Sequence, residues 1–219
     1  NQTLTLYQKN ADQHFIFHPP VYKKFFNDVS NTALVGDATH VEDRYVDFYR
    51  ERLVPLMLST EGPKCAKGDI NGDGLEDFFI GGAKGDPGKI FIQTKDGKFK
   101  QLPEPALEKD KLYEDIGAAF FDADGDGDLD LMVASGGNEY NVGSSMLIPR
   151  LYFNDGKGNF TLSPNAVPRD VSTNASCLRV CDFDSDGDID VFLGGRDVPG
   201  IYGATPKSFL LINDGKGNF

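Results

Sequence analysis

Tryptophan is missing from this 219-residue chain, and cysteine, histidine and methionine occur three times each. Three cysteines cannot build a disulfide framework, because one is always left over. Cys177 and Cys181 stand four apart in an apparent strand, about 13 Å from each other and far beyond disulfide reach. Cys65, Cys177 and Cys181 are therefore expected as small core residues rather than ligands or nucleophiles. The histidines are only His14, His18 and His40, and no Gly-x-Ser-x-Gly nucleophile motif accompanies them, so no catalytic residue is assigned. No apolar run reaches the 18 or so residues of a membrane-spanning helix, and no signal peptide is visible at the N-terminus. Basic residues number 22 against 34 acidic ones. They form no cluster, which argues against nucleic acid as a partner.

What the chain has is acid in the wrong places for simple solubility. Asp122 to Asp130 holds five aspartates in nine residues, and so does Asp182 to Asp190. Carboxylates a few ångströms apart repel one another unless a cation sits between them. The net charge of -12 therefore points to bound cations.

The acid belongs to a repeat, the feature to establish before any other. A short apolar strand such as 117–121 or 177–181 leads into an Asp-rich loop. A second apolar run then ends in paired glycines, at 78–82, 131–137 and 191–195. A closing strand and turn follow, nearly identical at 151–160 and 210–219 and looser at 90–99. The loops begin at Asp69, Asp122 and Asp182, spaced 53 and then 60 residues apart. Apolar runs punctuated by Asn-Asp-Gly are hairpin chemistry. About four strands per 50-odd residues match the blade of a β-propeller. The expected class is all-β, a partial propeller of about three four-stranded blades plus the closing strand of a preceding one.

The organisation read from this is the end of a preceding blade at 1–15, since Thr3 to Phe15 resembles a closing strand and turn. A connecting segment follows at 16–62, then blades at 63–110, 111–165 and 166–219. Apolar spacing from Val41 to Leu53 suggests a short helix limited by Pro55. The charges His40, Glu42, Asp43, Asp47, Arg50 and Glu51 are expected on a solvated face. Three blades do not close a ring, so the chain is expected to be a fragment of a longer array or to self-associate through open blade faces.

Each loop reads Asp-x-(Asp/Asn)-x-Asp-Gly-x-x-Asp. Ca²⁺ takes six to eight hard oxygen ligands in a flexible cage. Side chains at loop positions 1, 3, 5 and 9 with the carbonyl at position 7 supply them, and glycine at position 6 permits the reversal. Three calcium sites are expected: Asp69, Asn71, Asp73, Leu75 and Asp77; then Asp122, Asp124, Asp126, Asp128 and Asp130; then Asp182, Asp184, Asp186, Asp188 and Asp190. An EF-hand needs a bidentate glutamate at position 12, where Ile80, Val133 and Leu193 stand. Zinc finds no histidine or cysteine in the loops.

These loops, followed by Ile80-Gly-Gly-Ala83 and its equivalents, resemble the FG-GAP repeats of integrin α-subunit propellers. Together with Asn-Asp-Gly-Lys-Gly-Asn-Phe and the stretch Leu53-Val-Pro to Ser59-Thr-Glu-Gly-Pro63, they look more like bacterial VCBS-repeat proteins related to cartilage acidic protein. The resemblance implies an extracellular, cell-surface or periplasmic propeller of about seven blades, with Ca²⁺ between the first two strands of some of them. It implies no single activity. The expected function is recognition or adhesion toward a protein or glycan without catalysis, through the inserts Asn138 to Arg150 and Arg196 to Ser208 with Tyr140, Arg150, Arg196 and Tyr202. The alternative is a lyase or hydrolase acting on polysaccharides.

Overall fold

Period-2 apolar runs broken by positive-φ glycines fold here as antiparallel hairpins stacked into three sheets. The computed structural model describes residues 18–20 and 25–219. The reading of Thr3 to Phe15 as a closing strand lies outside the described residues. The first sheet holds β1 (Leu34–Val35), β2 (Cys65–Gly68), β3 (Asp77–Ile80), β4 (Lys89–Gln93) and β5 (Phe99–Leu102), in the order β1-β5-β4-β3-β2. The second is a four-stranded meander of β6 (Glu114–Phe121), β7 (Asp130–Gly136), β8 (Arg150–Asn154) and β9 (Phe160–Ser163). The third contains β10 (Asn174–Cys181), β11 (Asp190–Asp197) and β12 (Phe209–Leu211). All pairings are antiparallel except β1 with β5, which is parallel. The sheets thus carry five, four and three strands rather than a uniform four.

Two interfaces between sheets make the core. Phe79 and Ile90 of the first sheet pack against Leu131, Val133 and Tyr152 of the second. The opposite face of the second, with Met132, Ala134 and Leu151, packs against Leu178, Val191, Leu193 and Leu211 of the third. Alternation along β7 explains both at once: Leu131 and Val133 face one neighbour and Met132 and Ala134 the other, and all are fully buried. At roughly 25 cal/mol per Å² of apolar surface removed from water, these two interfaces are the main source of stability. The first strand of each unit lies beside its counterparts, with β6 between β2 and β10.

The third sheet repeats the pattern with one face uncovered among the described residues. Met132 and Leu151 are 0% exposed, whereas their repeat equivalents Phe192 and Leu210 are 43% and 40% exposed. Phe183, equivalent to the buried Ala123, reaches 62%.

The segment before the first loop departs from expectation. It forms no α-helix over 41–58, only a 3-10 turn at Asp47–Tyr49 followed by further turns, with Arg50 and Glu51 bonded to backbone groups of the distant inserts. Nor are its charges a solvated face: Asp47 is fully buried and Glu51 nearly so. The Asp47 carboxylate accepts from the Ser59 backbone N–H and hydroxyl. Glu51 accepts from the Gly200 backbone N–H. The Arg50 guanidinium donates to the carbonyls of Asn138 and Tyr140. Side chains aimed at orphan backbone groups become buried whatever their polarity. The cysteines are a further correction, for Cys65 and Cys181 are exposed and Cys177 half-buried. Cys177 and Cys181 lie on the face of β10 opposite the buried Leu178, the face that also carries the exposed Phe192.

Candidate metal centres

Each acidic loop joins the first two strands of its unit and is wound by its own carboxylates. At position 1, Asp122 Oδ1 accepts from the Gly125 N–H at 2.8 Å and Oδ2 from the Gly127 N–H at 3.0 Å. Asp69 and Asp182 do the same in their loops. Position 3 accepts from the N–H of position 5, as Asn71 from Asp73, Asp124 from Asp126 and Asp184 from Asp186. Position 5 accepts in turn from position 7. Such Asx turns pull successive carboxylates toward one centre. Position 4 takes a left-handed conformation: Gly72 at φ 72° and Gly125 at φ 79°, but Ser185 at φ 66°. A serine there carries strain that glycine does not.

Position 9 is different in kind. Asp77, Asp130 and Asp190 are 0%, 1% and 1% exposed. Asp130 Oδ2 accepts from the Ala123 N–H at 2.9 Å and Oδ1 from the Asn154 N–H at 2.8 Å. One carboxylate therefore ties the loop to the third strand of its sheet. Asp77 and Asp190 repeat this geometry with Ile70 and Gln93, and with Phe183 and Asn213.

Carboxylate oxygens of Asp122, Asp124 and Asp130 lie within 4.8 Å of one another, as do those of Asp182, Asp184 and Asp190. These two clusters are placed to hold a metal ion. The first loop offers Asp69 and Asp77 with the amide Asn71 between them, so its acid count there is two. Asp73, Asp126 and Asp186 stand on the exposed rim of their loops and fall outside the gathered clusters. The Asp128 and Asp188 side chains turn away toward the closing turns, where a Cβ on Gly156 or Gly215 would meet them at 2.3 and 2.4 Å. Leu75 is half-buried at position 7.

Burial sets the proton affinity of these acids, and neighbouring charges add to it. Burial first, then the backbone hydrogen bonds working against it, leave the Asp130 carboxyl pushed up to about 6. Burial and then the Asp126 charge raise Asp124. Burial also raises Asp77. An acid whose charged form is disfavoured in the folded state is relieved by a cation.

Sequence reasoning passed over Asn154 and Asn213. The Asn154 amide donates to the Ile70 carbonyl of the first loop at 2.7 Å and to the Leu129 carbonyl of the second at 3.0 Å. Asn213 likewise bridges Ala123 and Ile189. Each stitches its own loop to the preceding one. Their signal was the near-identity of the two Asn-Asp-Gly-Lys-Gly-Asn-Phe turns, whose first asparagine looks like turn chemistry alone.

Of the four insert residues expected to recognise a ligand, three are engaged within the chain. Arg150 is 6% exposed and ion-paired with Asp115. The Tyr140 hydroxyl donates to the Leu112 carbonyl, and Arg196 pairs with Glu61 at 2.6 Å. Tyr202 is exposed at 59% and has no hydrogen bond among the described residues. Sequence reasoning also missed a buried carboxylic acid at the start of β6: burial, and then the charges of Glu139 and Glu42, push Glu114 up to about 8.

Three stacked sheets, each with an oxygen-only acidic loop at the head of its repeat unit, define a repeat protein whose acidic clusters could hold metal ions. The FG-GAP-like repeat family model matches residues 69–133 and again 122–193. Those spans cover more than half of the chain, and the protein belongs to the FG-GAP-like repeat family. No curated protein matches it. Among the described residues, no helix is long and apolar enough to cross a membrane.

Proposed function

We propose that this chain is the calcium-binding part of an extracellular β-propeller that recognises a protein or glycan without catalysis. The observation that carries the reading is the convergence of carboxylates at equivalent places in successive repeats, each cluster made wholly of hard oxygen donors. The proposed ligands are the loop residues Asp69 to Asp77, Asp122 to Asp130 and Asp182 to Asp190, by the side chains of positions 1, 3, 5 and 9 and the carbonyl of position 7. The side-by-side first strands support the propeller, with units at 63–110, 111–165 and 166–219. The test is an array of glycans and extracellular proteins probed with and without calcium, with product detection on every retained glycan. Calcium-dependent retention without turnover is expected. Turnover would favour the polysaccharide-active alternative, for which the buried Glu114 is a candidate as a perturbed acid outside the calcium loops.

The sites should differ in strength. Ligand charge is one lever on Ca²⁺ affinity, and the first loop has Asn71 where the others have Asp124 and Asp184. It should empty first as calcium falls. Calorimetric titration of Asp73→Ala, Asp126→Ala and Asp186→Ala checks this. Loss of the tightest phase with Asp73→Ala alone would reverse the order.

The uncovered face of the third sheet predicts association. Phe183, Phe192 and Leu210 form an exposed apolar surface of the kind that finds a partner. Light scattering of the isolated chain should show a concentration-dependent rise in mass, reduced by the double substitution Phe192→Ser and Leu210→Ser. A monodisperse monomer over a wide concentration range would sink this expectation.

A further inference from the structure

In a chain of net charge -12, one cavity is lined by two arginines and, among the described residues, by no acidic side chain. It occupies about 270 Å³ between the insert of the second sheet and the link into the third, with Tyr113, Ser145, Arg150, Ser163 and Arg169 among its walls. The remaining walls are aliphatic or proline.

Arg150 is a built element of this cavity. Its side chain is 94% buried, one terminal nitrogen paired with Asp115 and the other donating to the Tyr152 hydroxyl at 2.9 Å. Its guanidinium carbon lies 4.0 Å from the centre of the Tyr113 ring. That leaves Nε buried without a hydrogen-bond partner. The guanidinium is fixed in place by Asp115 and Tyr152, and the side chain forms one wall of the cavity. Arg169, exposed at the rim, makes no ion pair among the described residues. Its exposed guanidinium is a planar fork suited to an oxyanion, and it lines the same cavity as Arg150. Two serine hydroxyls complete a lining that can exchange hydrogen bonds with ligand hydroxyls, over walls that fit the apolar face of a ring. The volume is near the lower end for ligand sites and holds one compact group.

We propose that this cavity binds a single acidic sugar residue, with its carboxylate or sulfate held between Arg150 and Arg169. The inference rests on the recognition reading above, and the two fail differently. An array on which nothing is retained sinks the reading, whereas retained ligands indifferent to Arg169 sink only the cavity.

The experiment is calorimetry of the calcium-loaded chain with trigalacturonate, a sulfated galactotriose, neutral galactotriose and hexaglutamate. Either acidic trisaccharide should bind at least about tenfold more tightly than the neutral one, as a charge-assisted contact implies. The tighter of the two names the oxyanion. Arg169→Ala should remove about tenfold in affinity while leaving the melting temperature unchanged, since Arg169 is exposed and makes no ion pair among the described residues. Equal binding of the neutral sugar, or unaltered affinity in Arg169→Ala, overturns the proposal. Hexaglutamate binding as tightly as the sugars overturns the assignment to a sugar.

Discussion

Removing calcium with a chelator should lower the melting temperature by about 10 °C or more. Calcium sites of extracellular modules have dissociation constants on the order of 10⁻⁴ M and weaker, and the proposed sites would reach about 10⁻⁵ M with all their carboxylates on the metal. Against millimolar calcium, mass action gives about 1.4 to 2.7 kcal/mol per site. Three sites then approach the net stability of a whole domain, and a chain of this length shifts by roughly 2 to 4 °C per kcal/mol. The empty loops also carry their own cost, since Asp130 is held against its charge by burial. Below about pH 6 the empty site keeps a proton there, and calcium must displace it. Affinity should therefore rise with pH up to about 6 and level off above. Magnesium should restore little, because it demands a tight octahedron and gives up water reluctantly. Differential scanning calorimetry with calcium, chelator and magnesium decides it. A melt indifferent to chelator would remove calcium from the account.

The second large effect is expected at Asp130, and it should persist without calcium. Asp130→Ala withdraws the acceptors of two N–H groups, on the buried Ala123 and Asn154. Each stranded donor costs roughly 1 to 3 kcal/mol, so the substitution should destabilise the chelated protein by about 2 to 6 kcal/mol. Asp126→Ala, at an exposed rim position, should cost under about 0.5 kcal/mol in chelator, as exposed substitutions do. Urea unfolding in chelator separates the two roles. If Asp130→Ala and Asp126→Ala lose the same stability there, position 9 acts through the metal alone.

The Asn154 and Asn213 amides give these effects a reach beyond one loop. Each asparagine holds a carbonyl of the preceding loop, so loosening one loop withdraws support from its neighbour. Repeat proteins draw stability from such nearest-neighbour terms.

Much of this molecule was determined by local sequence. The loops could be placed to the residue because Asx turns, left-handed glycines and clustered acid all act within nine positions. The hairpin joining β8 to β9 closes over a turn of a few residues, and the alternation along β7 puts Leu131 and Met132 on opposite faces. The tertiary structure alone decided what depends on partners distant in the chain. It buried Asp47 against Ser59, engaged Arg150 with Asp115 and Arg196 with Glu61, and left Cys65 and Cys181 uncovered. It also distinguished position 9 from position 5, since the strand that Asp130 reaches lies 24 residues away at Asn154. A residue's type and its near neighbours set the local turn. Burial and charge pairing are set by whichever surface the rest of the chain brings against it.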